Sequence, residues 1–375
     1  MNYSNEWKKI KLESLIDEVK DLTSDFEKYP LYSFTIESGV TPKTDRYERG
    51  FLVKKDGDLF KIVYPGNFVM NPMNLRFGAI NYSKQGVPVS VSGYYDIFNI
   101  DDSKYNDFWN AYLKTKKTLN TYNAIATGSL VEKKRVHFSQ LKDLKMYVPG
   151  CTEKEKINKF LQLLDERINT QNKIIEDMHS IKNEISNRIF DLKVIEQSTN
   201  CLSAYLQEGD KTPVDTSKYK KITIKLNKQG IVYSDINRDM ADTRPFYIRH
   251  KGELIIGKQN YFNGSIAIVD NQFDNCICSN AIMSFRISGI NKDFLYYQIS
   301  NNNYLNSQSY KANGTGQKEL SEKEFLKFKI WCPSMKTQEK IVDCFKSLDN
   351  KIENEKAILN SYIQEKNYLL KNMFI

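Results

Sequence analysis

Residues 146–191, MYVPGCTEKEKINKFLQLLDERINTQNKIIEDMHSIKNEISNRIFD, align without a gap to residues 330–375, IWCPSMKTQEKIVDCFKSLDNKIENEKAILNSYIQEKNYLLKNMFI, at a constant offset of 184. Identities fall at Pro149/Pro333, Glu155/Glu339, Lys156/Lys340, Ile157/Ile341, Leu164/Leu348, Asp165/Asp349, Ile168/Ile352 and Phe190/Phe374. A repeat on this scale organises a fold, so every other motif is read against it.

Alternating steps of four and three residues link Ile157, Leu161, Leu164, Ile168, Gln171, Ile175, Met178, Lys182, Ile185 and Ile189. The second copy runs through Ile341, Phe345, Leu348, Ile352, Glu355, Leu359, Tyr362, Lys366, Leu369 and Met373. Such heptads describe a helix that buries a narrow stripe against another helix, with Lys182 and Lys366 snorkelling or setting register. Each helix begins after a proline, which cannot sit inside one. At about 1.5 Å per residue, some 35 to 40 residues make a rod about 55 Å long.

A lone heptad segment suggests homo-oligomerisation. Two matched helices in one chain can instead pair with each other. The order globule, helix, globule, helix sends the first helix outward and the second back, so the expected coiled coil is antiparallel with a globule at each end. The boundaries read from the repeat are 1–149 and 196–333 for the globules, 150–195 and 334–375 for the helices.

The globules repeat too. Tyr64 to Ile80 matches His250 to Ile266 at an offset of 186, with Gly66/Gly252, Gly78/Gly264 and Ile80/Ile266 coinciding. Short β-prone runs fill both: LYSFTI, FKIVY, VPVSVSG and YDIFNI in the first, KITIKL, ELIIG, SIAIV and IMSFRI in the second. A helix is expected in each, over residues 104–118 and 293–301. The fold class is therefore α+β: two similar globules of mixed sheet and short helices, alternating with two long helices, with an internal pseudo-two-fold.

The chain has 375 residues, 40% hydrophobic and 27% charged, the balance of a soluble globular protein. No apolar run approaches the roughly 18 residues of a membrane span, and the first residues lack a signal-peptide core, so a cytoplasmic location is expected. The six cysteines are scattered without a C-x-x-C pair, which suggests neither a disulfide framework nor a zinc site. The net charge is +9. Residues 1–149 hold 22 Lys and Arg against 18 Asp and Glu, and residues 196–333 hold 18 against 14, whereas residues 150–195 are balanced. A polyanionic partner for the globules fits this distribution.

Two recognition globules alternating with two similar long helices resemble the specificity subunit of Type I restriction-modification enzymes. The resemblance spans the chain, from Glu6-Trp7-Lys8-Lys9-Ile10-Lys11-Leu12 through SGVTP (38–42), NPMNLRFGAI (71–80), GSIAIV (264–269) and TGQKEL (315–320) to the helix starts TEKEKINKFLQLLD (152–165) and TQEKIVDCFKSLD (337–349). One departure is CLSAYL (201–206), which opens the second globule without the expected tryptophan; another is a polar, linker-like stretch over 207–220. The resemblance implies a non-catalytic subunit that binds double-stranded DNA at a bipartite site. It also implies two methyltransferase partners, restriction motor-nuclease subunits in the restriction form, and S-adenosylmethionine on the methyltransferase rather than on this chain.

The residues agree that the chain has no chemistry of its own. Asn71-Pro72-Met73 lacks the second proline and the aromatic of an adenine-methyltransferase motif and reads as a turn after a strand. No Gly-rich phosphate or dinucleotide loop is present, and His137, His179 and His250 have no ligand spacing. Asp101-Asp102 reads as a loop or helix cap. No metal ligand and no cofactor is expected on the chain.

DNA contacts need Lys or Arg for phosphates, and Arg, Lys, Asn or Gln on loops for bases. In the first globule the candidates are Arg46, Arg49, Arg76, Lys84, Gln85, Tyr94 and Arg135. In the second they are Arg238, Arg244, Lys258, Gln259, Asn260, Tyr261, Lys311, Gln317 and Lys318. The stretch 313–318, NGTGQK, is the leading local candidate, because glycines let backbone N–H groups approach a phosphate. Thr127-Gly128-Ser129 with Arg135 is its counterpart. A coiled-coil scaffold that leaves DNA alone is the competing reading.

Overall fold

The fold is described from a computed structural model, over residues 7–42, 59–128, 134–234, 244–309 and 319–374. The chain divides into two compact units, residues 1–172 with 357–375, and residues 173–356. Each unit therefore holds one globule, part of the first long helix and part of the second.

In the first unit, four antiparallel strands lie in the order Ile16–Glu18, Asp96–Ile100, Phe68–Met70, Ile80–Tyr82. Alternation along the strands sends Phe68, Met70, Ile80 and Phe98 into one core, with Phe108, Trp109 and Tyr112 of the helix Asn106–Tyr112. It sends Val69 and Ile97 into another, with Val63, Val89 and Val91 of a three-stranded sheet. Both faces are thus covered, which is why Phe-Val-Met reads as a continuous apolar run rather than an alternating one.

The second unit repeats this plan. Its four-stranded sheet has the order Leu206–Glu208, Ile282–Ile287, Leu254–Gly257, Ile266–Ile268. Leu254, Ile256, Met283 and Phe285 face a core shared with the helix Lys292–Ile299, while Ile255, Ala267 and Ile282 face Ile222, Ile224, Cys276 and Cys278. The hairpin partners Met70↔Ile80 and Ile256↔Ile266 keep the 186 offset.

The eight strands read from sequence are present, IMSFRI without an end error. The helix expected over 104–118 is a 3-10 turn, Ser103–Tyr105, followed by Asn106–Tyr112; a separate helix, Lys116–Ile125, then begins at Thr115, whose side chain accepts from Thr118 N. The opening CLSAYL repeats the geometry of KLESLI despite its missing tryptophan. Each forms a 3-10 turn and a strand, and the buried leucine N–H donates to an equivalent carbonyl, Leu12 to Leu144 at 2.8 Å and Leu202 to Phe328 at 3.0 Å. The strand pair Lys8–Lys11 with Lys145–Val148 shrinks in the second globule to a single bridge, Cys201↔Lys329. Within the expected linker, Leu206–Glu208 is an edge strand and Thr216–Lys218 a 3-10 turn.

The long helices are Cys151–Ile189 and Met335–Met373, 39 residues each. The seam is their buried side: Leu161, Leu164, Gln171, Ile175, Phe345 and Ile352 are buried, and Ile157, Ile168, Ile185, Ile341, Leu348, Leu359 and Leu369 are half-buried. The pairing is antiparallel. Asp165 near the start of the first helix pairs with Lys366 near the end of the second, and Lys182 pairs with Asp349. Among the described residues, no helix is long and apolar enough to cross a membrane.

The helices also complete the globules. Asn158 Oδ1 accepts from Phe108 N (3.0 Å), one of the N–H groups that a helix start leaves without an internal partner. In the second unit Gln338 Oε1 accepts from Asn291 N (2.8 Å), and Lys346 reaches Asp293 at 2.5 Å. The matched residues Phe374 and Phe190 close each core. Phe374 stacks on Tyr112 with centroids 5.0 Å apart, and Phe190 stacks on Phe345 at 5.9 Å while meeting Phe294 edge-on.

Phe190 is fully buried in this cluster, so Phe190→Ala is expected to cost about 3–5 kcal/mol of unfolding free energy, whereas Tyr368→Ala on the exposed helix surface changes it by no more than about 0.5 kcal/mol. Urea titration followed by tryptophan fluorescence and helix circular dichroism measures both.

Candidate nucleic-acid interface

The strand Phe68–Met70 runs into the turn Asn71–Gly78, and Ile80–Tyr82 returns from it. Asn71 builds the turn: its Oδ1 accepts from Met73 N (3.1 Å) and Asn74 N (3.3 Å), as expected of a turn rather than a methyltransferase motif. Gly78 ends it with φ +88°, and Gly264 ends the matching turn with φ +73°. A side chain at 264 would put Cβ 3.0 Å from Lys228 N, so glycine is required there twice over.

Each of these turns anchors a loop that arrives from far along the chain. In the first globule Thr127 and Arg135 exchange two backbone hydrogen bonds of 2.9 Å, and Val136 N donates to Pro72 O at 2.9 Å. In the second, Leu320 N donates to Lys258 O at 3.0 Å. Val136 and Leu320 are related by the helix offset of 184, and Pro72 and Lys258 by the globule offset of 186. The residues that follow the Gly-containing stretch, Val136 and Leu320, are thus bonded to the glycine turn in both globules; the stretch 313–318 and Ser129 lie outside the described residues.

The candidates divide accordingly. Arg46, Arg49, Arg238, Lys311, Gln317 and Lys318 lie outside the described residues. Arg135 is exposed at the foot of its loop, and Gln259 and Asn260 are exposed on the second turn. Lys258 sits beside them, its ammonium 3.6 Å from Glu322, which also pairs with Lys211 at 2.9 Å. Arg244 and Tyr94 are exposed elsewhere on their globules.

Two candidates are corrected. Tyr261 is fully buried, and its hydroxyl donates to Ile299 O at 2.8 Å; burial pushes its pKa well up, so it is a core residue and not a DNA contact. Arg76 is buried too, with its guanidinium 4.9 Å from the Phe77 ring centre. Phe77 stands exposed on the first turn and is not among the sequence candidates; its signal in the sequence is an aromatic beside an arginine inside NPMNLRFG.

Lys84 and Gln85 belong to a different place. Because Phe68 pairs with Tyr82 and Met70 with Ile80, residues 84 and 85 leave the hairpin at the end away from the Asn71–Gly78 turn. Gln85 Nε2 donates to Val40 O at 2.9 Å. Lys84 lies 3.4 Å from Asp107, which also accepts from the Tyr82 hydroxyl at 2.5 Å and from Gln162 Nε2 at 3.0 Å. Asp102 is not a side-chain cap; it forms an ion pair with Lys154, whose ammonium sits over the Tyr105 and Trp109 rings. His179 is exposed on its helix, and among the described residues no group of His, Cys, Asp and Glu could hold a metal ion.

Residues 204–361 match the family profile of the Type I restriction modification DNA specificity domain. The second globule and the first part of the second long helix are thus similar to that DNA specificity domain. The matched span begins in the 3-10 turn that opens the second globule and ends in the second long helix, so it covers one copy of the repeat. Among solved structures, the Type I restriction-modification system S subunit from M. genitalium is similar at 17% identity and a TM-score of 0.54, covering 100% of this chain and 97% of that one. A chain from a type I R-M system, solved to address complex assembly and conformational transition, is similar at 11% identity and a TM-score of 0.55, covering 99% of this chain and 96% of that one. At these identities the likeness is one of fold. A comparison with curated protein sequences yields no match.

Lys114 joins the Lys84 cluster through Asn81 Oδ1. Burial, then the Lys366 and Lys84 ammoniums, pull its pKa from 10.5 down to about 8. Between about 8 and 10.5 the unfolded chain binds the extra proton, so stability rises with pH across that window. Urea unfolding at pH 8 and at pH 10.5 is expected to show the stability of the native chain, measured against Lys114→Met at the same pH, shifting in the native chain's favour as pH rises.

Proposed function

We propose that each globule reads one half of a bipartite double-stranded DNA site, and that the paired helices set the spacing between the halves and dock two methyltransferase subunits. The observation that carries this reading is the duplicated loop anchor. One sequence repeat has kept the same backbone bond, Val136 to Pro72 and Leu320 to Lys258, beneath loops whose own sequences differ. A constant frame under variable loops is what a half-site reader needs, since base contacts come from the loops and the frame sets their approach. The excess of basic residues in the globules, set against neutral first-helix residues, supports the same division of labour.

On the first long helix, Phe160 and Leu163 are exposed and line a groove with Tyr362 of the second, a surface suited to an apolar partner. In this reading the chain is non-catalytic and cytoplasmic. S-adenosylmethionine binds the methyltransferase, and restriction motor-nuclease subunits join the restriction form of the complex. The coiled-coil scaffold reading explains the helices but not the duplicated loop anchors.

Co-expression with the cognate methyltransferase is expected to yield a complex whose logarithmic DNA affinity falls linearly with logarithmic salt concentration. Arg135→Ala is expected to reduce that slope by about 1 if Arg135 holds a phosphate. A complex whose affinity ignores salt would remove the DNA-reading role. Deleting residues 172–178 together with 356–362 keeps the heptad phase and shortens the paired helices by about 10 Å, so methylated sites are expected to lose about three base pairs of spacer. Unchanged spacing in methylation sequencing would separate the helices from the ruler role.

A further inference from the structure

Most of the coiled-coil seam is apolar, and an apolar seam repeats every seven residues. Ile157, Leu164, Met178 and Ile185 occupy one heptad position of the first helix, and Leu161, Ile168, Ile175 and Ile189 the other. The apolar contacts of the seam survive a slip of one heptad, because each apolar side chain mostly meets another apolar one, and the polar seam residues besides the lysines are Gln171 and Glu355. Something else has to choose among registers.

Lys182 and Lys366 interrupt the seams at equivalent places, and each meets an aspartate of the opposite helix: Lys182 with Asp349, and Lys366 with Asp165. The repeat offset of 184 exchanges the two pairs, since it carries Asp165 onto Asp349 and Lys182 onto Lys366. All four side chains are half-buried, with 24% to 39% of their surface exposed. A slip of seven residues in one direction sets Lys182 between Glu355 and Lys356, and Asp349 against Ile189. In the other direction it sets Lys182 against Val342 and Asp349 against Ile175. Lys366 likewise exchanges its aspartate for Asn172 or Asn158.

The globules sharpen the choice. Lys228 of the second globule donates to Asn302 Oδ1 at 2.6 Å and to Ser300 O, and its pKa is held down first by burial and then by Lys182. Lys114 of the first globule stands in the same relation to Lys366. Each seam lysine therefore faces a second ammonium, and its aspartate is the compensating charge. In the second unit Asp349 also accepts from the Tyr297 hydroxyl at 3.0 Å, and Lys182 lies over the Tyr297 ring, so the pair holds the globule helix as well.

We propose that Asp165–Lys366 and Lys182–Asp349 are specificity-determining pairs: they select one heptad register of the two long helices, and through it the number of base pairs between the two half-sites. The second half of this statement rests on the function proposed above, and the first does not.

The test has two arms. Arg167 lies 5.6 Å from the Tyr362 ring, so Arg167→Cys with Tyr362→Cys, in a Cys151→Ser, Cys344→Ser background, gives a pair that a short bismaleimide bridges only in the native register. Adding Lys182→Asp and Lys366→Asp puts like charges face to face, and bridge yield is expected to fall about tenfold. Adding Asp165→Lys and Asp349→Lys as well reverses both pairs and is expected to restore it. Undiminished bridging in the doubly reversed chain overturns the lock. If that chain loses its helical circular dichroism, Asp165→Asn with Asp349→Asn is read in the same way.

In the second arm, the same chains are assembled with the methyltransferase and offered DNA of graded spacer length. The doubly reversed chain is expected to methylate shifted spacers, and the fully reversed chain the native spacer alone. A lost bridge with unchanged spacer choice would keep the lock and overturn its link to spacing. Uniform loss of methylation at all spacers, with bridging intact, would mark the pairs as merely stabilising and overturn the proposal.

Discussion

A lysine in an apolar helix seam must either reach water or face a carboxylate, because its charge is costly to shield without a partner. The rest of the structure depends on how this chain meets that constraint. An exposed ion pair contributes only about 0.2–1 kcal/mol, so the Asp–Lys pairs add little to the stability of the coil as formed. Their weight lies in the alternatives, where Lys182 would face Val342, or Lys356 beside Glu355, and both seam aspartates would lose their lysines. The seam's apolar area makes the two helices pair, and the charges decide how.

The globules are then built on what the helices offer. The helices Asn106–Tyr112 and Lys292–Ile299 pack an aromatic face on their sheets and present their N-terminal N–H groups to the long helices, which answer with Asn158 and Gln338. Phe374 and Phe190 complete the two cores from the far ends of the same helices. A globule and its helix segments are therefore one hydrophobic unit, and this explains why compact units cut across the globule and helix boundaries of the sequence.

Covering both faces of each four-stranded sheet leaves Asn74 and Phe77 on one hairpin turn, and Gln259, Asn260 and Asn263 on the other, as exposed positions. Asn71 and the left-handed glycines hold those turns in fixed shapes, and one conserved backbone bond ties each to its loop. Residues on loops carried by such a frame can change without disturbing the core.

Much of this was legible without coordinates. Heptad and strand periodicities depend on local spacing, so both long helices, the eight strands and the α+β class could be read from residue order, and the offset of 184 made the helices partners of each other. Proximity between distant residues has no such local signature. That Tyr261 is core while Gln259 and Asn260 beside it are exposed depends on which face of a turn meets Phe325. That Lys84 and Arg135 lie at different ends of one globule depends on strand register. The sequence by itself determined the long helices, eight of the strands and the duplication, because periodicity is written along the chain. Only the tertiary structure decided which charges compensate which and which loops stand together, because those depend on packing between segments far apart in sequence.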